Sequence, residues 1–223
     1  MRVATAADKD FIESIITHPE VQPYIGDDNS PSLNVAPYLG HPHVALIVEG
    51  GCFFGFWHGY GRLECHTCFL PSSRGKTALR EGRAAIDYTF LKTNAFAIVT
   101  RVPQNNPAAD WYARKMGFRL LFERPNAWIK NGAPHPVRYY ELSLDDWIVQ
   151  GHLVTDHSDD PILDCYASAV AALVNNGQAD KATFFYNRWA AITGYPLIEV
   201  VTAKPVIEHR TPPHITRTGI TVH

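Results

Sequence analysis

The sequence predicts an α+β fold with a helical extension toward its C-terminal end, and three observations carry that expectation. Apolar runs of period 2 between residues 44 and 70 are separated by Gly-containing turns, as in an antiparallel meander. A strand–helix–strand crossover follows, from the third run through a helical stretch into Ala95 to Val102. From about residue 150 the apolar spacing turns helical through two consecutive stretches. The expected organisation is a body over residues 1–149 and an extension over residues 150–223, made of a helical hairpin and a tail.

Each element has its own local reason. Thr5 and Asp8 form a T-x-x-D capping box ahead of Phe11, Ile12, Ile15 and Ile16, which predicts a helix over 6–17. Residues 18–42 are rich in Pro, Gly, Asp and Asn and read as a long loop of the kind that often forms part of a site. Strands are expected over 44–48, 52–58 and 62–70. After Pro71 a helix is expected, with Leu79, Gly82, Ile86 and Phe90 on one face. Asn106 caps and Pro107 opens a further helix that Gly117 ends. Two more strands, 118–123 and 137–144, flank a loop containing the turn signal Asn131-Gly132. Asp160-Pro161 opens the first helix of the hairpin, with Ile162, Tyr166, Ala169, Val170 and Leu173 on one face. Ala182, Phe185, Trp189 and Ile192 mark the second helix, and residues 197–202 read as a further strand before the tail.

Composition excludes several classes. The chain has 223 residues, of which 46% are hydrophobic and 19% charged, which is neither disordered, collagen-like nor coiled-coil. A formal charge of −2 supplies no bulk field for duplex nucleic acid, so no nucleic-acid partner is expected. Charges at Arg2, Asp8, Lys9 and Asp10 stand where a secretory apolar segment would sit, and no apolar run approaches the about 18 residues of a membrane span. A cytoplasmic protein with no membrane partner is expected. Cys65 and Cys68 form a C-x-x-C inside an expected strand, where residues three apart point to opposite faces. With no second C-x-x-C, free thiols and no metal are expected there.

The segment from Phe69 to Ala78 carries the most chemistry. A strand runs through Leu70 and Pro71 into a turn whose amides open a helix, with Arg74 and Lys76 beside them. Amides at a helix start have no internal partner and favour an anion. Two readings follow: a phosphate site, or a solvated basic face. Glu64 and His66, two apart, share one face of the strand just upstream and are candidates for a general base, unless that face is simply solvated. Phe53, Phe54, Phe56, Trp57 and Tyr60 crowd the preceding strand and either line an acceptor pocket or fill the core.

Strand, Pro71-x-x-Arg74-Gly75-Lys76, helix, strand and then Asn106-x-x-Ala109 with Gly117-Phe118 resemble the GCN5-related N-acetyltransferase (GNAT) superfamily over about residues 1–145. The resemblance implies the acyl-CoA N-acyltransferase fold, a mixed central sheet with helices on both faces. It implies that acetyl-CoA is the acyl donor, its pyrophosphate held by the turn at Arg74, Gly75, Lys76, Thr77 and Ala78. Its pantetheine arm would lie where the strand splays from its neighbour, along Phe69 and Leu70, with Asn106 close by. The acceptor would be a primary amine, with Glu64 as base and His66 as the alternate. The sequence departs from the family at Thr77 and Leu79, which replace small residues, and at Ala113, which stands where a tyrosine commonly protonates the leaving thiolate. These departures are also similar to divergent acyltransferase-like proteins of bacteriophages. They leave two alternatives: a binding or assembly protein without catalysis, or an enzyme modifying nucleic-acid bases. The hairpin lies outside the resemblance, and the acyltransferase body, a second copy of the chain or a larger assembly could cover its apolar faces.

Overall fold

The alternation of apolar side chains over residues 44–69 sends successive residues to opposite sides of a sheet. In the computed structural model, which describes residues 1–28, 34–151, 161–194 and 197–198, the chain divides into two units. The first comprises Met1–Thr89 and Ala95–Ser143. Its strands are β1 (Arg2–Val3), β2 (Val44–Val48), β3 (Gly51–Gly59), β4 (Arg62–Phe69), β5 (Ala97–Pro103), β6 (Arg119–Lys130) and β7 (Ala133–Ser143). They form one mixed sheet in the order β1-β2-β3-β4-β5-β7-β6, in which only the β4–β5 pair is parallel.

Helices cover both faces. A 3-10 turn at Ala6–Asp8 leads into α1 (Lys9–Ile16), whose Ile12, Ile15 and Ile16 are buried against Ala45, Cys52, Phe54 and Cys68. Each fully buried isoleucine contributes about 1.5–3 kcal/mol, so this stripe seats the helix. On the opposite face Ala85 of α2 (Lys76–Lys92) packs with Leu46, Val48 and Phe53. The last helix of this unit, α3 (Pro107–Lys115), buries Ala113 with Val102 and Tyr140. This is the expected α+β architecture, with the helix of 6–17 split into a 3-10 turn and an α-helix. The segment between α1 and β2 contributes short 3-10 turns at Gln22–Tyr24 and Ala36–Tyr38.

The late strands differ from expectation. The stretch between residues 123 and 137 is strand almost throughout, because Asn131 and Gly132, both at positive φ, turn the chain within two residues. Bulges at Leu120/Phe122 and Arg124/Trp128 break the apolar alternation and hid the strand's length.

The second unit holds Phe90–Asn94 and the described residues from Leu144 onward. Here α5 (Pro161–Asn175) and α6 (Ala179–Thr193) form the expected hairpin, preceded by the unexpected short helix α4 (Leu144–Val149). Leu173, Ala182, Tyr186 and Ala190 are all but sealed from water. Ile162, expected on the apolar face, is instead exposed. The side chain of Ile192, most of the strand expected over 197–202 and the tail lie outside the described residues. No helix among the described residues is long and apolar enough to cross a membrane.

Candidate active site

Parallel strands β4 and β5 pair only where Arg62–Glu64 meets Ala97–Val99. Yet β4 continues to Phe69 and β5 to Pro103, held there by β3 and β7 on their outer edges. The two inner edges therefore part into a gap, as the resemblance implies.

The α2 turn stands at the end of β4. Leu70 is extended, Pro71–Ser73 make a 3-10 turn, and Gly75 takes φ +73°, a value that disfavours any side chain. The first i→i−4 bond of α2 runs from the Leu79 amide to the Gly75 carbonyl at 3.0 Å. The amides of Lys76, Thr77 and Ala78 precede that ladder and are the ones an anion can take. The turn is braced from below: the Leu70 amide donates to the Gly50 carbonyl at 2.9 Å. Phe69, Leu70, Gly75, Lys76, Thr77 and Ala78 are thus one continuous turn. Arg74 belongs to it but points away, its guanidinium donating to the Glu20 carbonyl at 3.0 Å and the Glu20 carboxylate at 3.5 Å. Asn106 follows the far arm of the gap and caps α3, its Oδ1 accepting the Ala109 amide at 3.1 Å.

Ala113 faces the core, and its neighbour Tyr112 faces the turn. The Tyr112 hydroxyl donates to the Ala78 carbonyl at 3.3 Å, and its ring meets that of Phe69 at 6.1 Å. A Cβ on Gly82 would come within 2.0 Å of that hydroxyl, so the glycine is what lets α3 approach α2. Burial pushes the Tyr112 phenol above its ordinary range.

Glu64 is 7% exposed and is the hub of a polar cluster. Its Oε1 accepts His66 Nε2 at 2.7 Å and Arg101 Nε at 2.7 Å. His58 Nε2 lies 3.1 Å from Oε2. Burial raises the Glu64 carboxyl, but the hydrogen bonds and charges of His66 and Arg101 outweigh it and hold the group down at about 2. Such a carboxylate stays ionised and takes a proton poorly. Because a carboxylate only accepts, His66 Nε2 carries the hydrogen, which leaves Nδ1 with the lone pair in the neutral ring.

The aromatic residues divide between the two faces. Phe53 packs toward α2 and Phe54 toward α1, while Tyr60 is fully exposed at a turn. Phe56 lies on the α1 side as well, stacked on Phe54 at 6.0 Å, with its ring 4.7 Å from Tyr38, 6.0 Å from His43 and 5.3 Å from His66. Tyr139 stacks on Phe122, and Tyr140 turns inward to donate to Asp110. Cys65 and Cys68 point to opposite faces as expected, and all four cysteines are free thiols. Burial pushes the Cys65 thiol up to about 12. Cys52 and Cys68 are direct cross-strand partners.

Sequence reasoning did not find Arg101, Tyr38 or His43. A single arginine inside the apolar run Ala97–Val102 was the available signal for the first, since a charge that interrupts an apolar strand invites an ion-pair partner on a neighbouring one.

Residues 38–150 match the family described as a protein of unknown function (DUF2824). No curated protein matches the chain by sequence. Among solved structures, spermidine N-acetyltransferase from Vibrio cholerae, in complex with CoA and spermine, is similar at TM-score 0.56 and 17% identity, over 66% of this chain and 96% of that one. A chimera of the Vibrio cholerae enzyme SpeG with hSSAT is similar at 0.55 and 21%, over 66% and 97%. A candidate phosphinothricin N-acetyltransferase is similar at 0.52 and 14%, over 64% and 96%. The mixed sheet and its helices are thus the GNAT fold.

Proposed function

The chain belongs to the DUF2824 family, and on the site it carries we propose that it transfers an acyl group, most simply acetyl, from acyl-CoA to a primary amine. The observation that carries the reading is the gap between β4 and β5, with the open amides of Lys76, Thr77 and Ala78 at its mouth. These amides, with Lys76, would take the pyrophosphate, and the unpaired edge of Phe69 and Leu70 would take the pantetheine arm. Asn106 would lie along that arm, and Arg74 would first have to leave Glu20.

In the reaction the amine nitrogen attacks the thioester carbonyl, an amide C–N bond forms, and the C–S bond breaks to release CoA thiolate. His66 Nδ1 takes the amine proton, while Glu64 fixes the ring and stabilises it once charged. Glu64 therefore acts as the orienting group and His66 as the base, which reverses the order expected from the sequence. The Tyr112 hydroxyl already donates to the Ala78 carbonyl and burial holds its proton, so CoA leaves as the thiolate without help from that residue. The proposed acyl-CoA donor supports the cytoplasmic setting expected from the sequence.

The test is thermal unfolding with and without saturating acetyl-CoA, for wild type and for Arg74→Ala/Lys76→Ala. A ligand at 100 times its Kd stabilises by about 2.7 kcal/mol, or several degrees for a chain of this size. A shift in wild type that shrinks in the double variant supports the reading, and no shift at millimolar acetyl-CoA overturns it. A second reading, a binding or assembly protein on the same fold, is favoured by the exposed Leu120, Leu121 and Phe122 on edge strand β6. It predicts partner binding without acyl transfer.

A further inference from the structure

On the acyltransferase reading above, on which the inference rests, we infer that Glu20 is an internal competitor of the donor's phosphates. It holds Arg74 away from the anion turn and thereby sets how tightly the chain takes acyl-CoA. The state of the two cations on the turn and the anchoring of the segment around Glu20 lead there.

The two cations stand differently. Lys76 is exposed at the first residue of α2. Arg74 is drawn off by Glu20, its Nη2 donating to the backbone carbonyl at 3.0 Å and its Nη1 to the carboxylate at 3.5 Å. A carboxylate and a phosphate offer a guanidinium the same kind of partner, a pair of anionic oxygens that match its donors. A guanidinium turned toward Glu20 is turned away from the amides of Lys76, Thr77 and Ala78. The two anions therefore compete for one arginine.

Glu20 is presented to Arg74 by an anchored segment. It lies inside a turn in which the Val21 and Gln22 amides both donate to the His18 carbonyl, at 2.8 and 2.9 Å. Its own amide donates to His18 Nδ1 at 3.2 Å, and the next residue, Val21, is buried with the α1 stripe. Farther on, the β6–β7 hairpin pins the chain. Trp128 Nε1 donates to the Gly26 carbonyl at 2.9 Å, Lys130 Nζ to the Ile25 carbonyl at 3.0 Å, and the Asp28 amide to the Ile129 carbonyl at 2.9 Å. An exposed ion pair between two loose side chains contributes little, in part because both must be ordered to form it. Here the backbone half of the contact is ordered already. The apparent affinity for the donor is then the intrinsic affinity reduced by the fraction of chains in which Arg74 is free. Donor binding in turn releases the Glu20 carboxylate, because the coupling is reciprocal.

The experiment titrates the purified full-length chain with acetyl-CoA by isothermal calorimetry, as wild type, Glu20→Gln, Arg74→Ala and the double variant. Glu20→Gln keeps the shape of the side chain and removes its charge. It should lower Kd by about two- to fivefold, toward the upper end of what an exposed ion pair spans. In the Arg74→Ala background the same change should leave Kd unaltered, because the arginine it frees is gone. An unchanged or raised Kd in a folded Glu20→Gln chain would overturn the inference. So would an equal gain in the Arg74→Ala background, since Glu20 would then repel the phosphates directly instead of occupying the arginine. Loss of all binding in Arg74→Ala would leave the decision to Glu20→Gln alone, with the same two outcomes. Should wild type bind acetyl-CoA while the four chains show no coupling, the inference falls and the acyl-CoA reading stands. Binding by none of the four would remove that reading and this inference together.

Discussion

Replacing Glu64 by glutamine tests whether the polar cluster is an electrostatic hub or a set of adjacent side chains. The amide keeps the shape of the carboxylate but leaves Arg101 and His66 facing a neutral group. The carboxyl lies at about 2 in the folded chain against an ordinary 4.5. At about 1.4 kcal/mol per tenfold change in proton affinity, the ionised form contributes about 3 kcal/mol to folding at neutral pH. A folded pKa below the unfolded one has a definite sign. The contribution is complete above about 4.5, falls as the pH drops, and is nearly gone at the folded value of about 2. Urea unfolding followed by tryptophan fluorescence should therefore place Glu64→Gln about 3 kcal/mol below wild type at pH 7. At pH 3 the gap should close to about 1 kcal/mol. Other carboxylates in the chain also titrate, but they do so in both proteins and cancel in the difference. A gap equally wide at pH 3 and pH 7 would mean that glutamine fails for reasons of packing, and the electrostatic account would be wrong.

Other perturbations separate local effects from the site. Gly75→Ala meets nothing within 4 Å, so its cost is conformational, about 1–2 kcal/mol for an alanine at positive φ, and should appear as a modest drop in Tm. Gly50→Ala adds to the same strain a Cβ 1.9 Å from Ser73 Oγ, so calorimetry should show a larger drop, accompanied by weaker acetyl-CoA binding. Asp28→Ala removes the acceptor for the Asn131 and Gly132 amides, and hydrogen exchange at those two amides should rise while the β3–β4 ladder is unchanged. Burial lowers Lys181 from 10.5 to about 7, so the folded chain binds fewer protons than the unfolded one between those values. Wild-type stability should therefore rise with pH over that window, and Lys181→Met should flatten the rise in denaturant titrations at pH 7, 8.5 and 10.

Much of the fold was legible because its signals are local. The alternation over 44–69 assigns Cys52, Phe54 and Cys68 to one face and Phe53, Cys65 and Phe69 to the other, as the clusters bear out. Asn106 and Gly117 bound α3 through a side-chain cap and a positive φ, both encoded within a few residues. The later strands were less legible. Their bulges shift the apolar period, and a proline at 125 and another at 136 read as breaks although both lie within strands. The short α4 was hidden because Leu144 extends the apolar spacing of the strand before it.

The candidate site divides along the same line. The turn from Phe69 to Ala78 is contiguous in sequence, so its course from strand through turn into helix could be read from residue type and order alone. Glu64 and His66 could be paired for the same reason, since a spacing of two on a strand is a shared face. What they do together could not be inferred, because it depends on Arg101, 37 positions away in the chain. A parallel pair of strands is joined only through its crossover, and no local pattern records which residue of β5 stands beside which residue of β4. That register is what places Arg101 beside Glu64 and holds its carboxyl ionised, and the proposed mechanism therefore gives the proton-accepting role to His66. The same register ends after Glu64 and Val99, so the residue that reorganises the cluster also stands where the gap opens. The ionised state of Glu64 and the start of the gap therefore share one cause, and Arg101→Leu should disturb both. The Glu64 carboxyl should move back toward its ordinary value, and CoA affinity should fall with the loss of the strut at the closed end of the gap. A variant that changed the acid titration of Glu64 without affecting acetyl-CoA stabilisation would separate the two and confine Arg101 to the cluster.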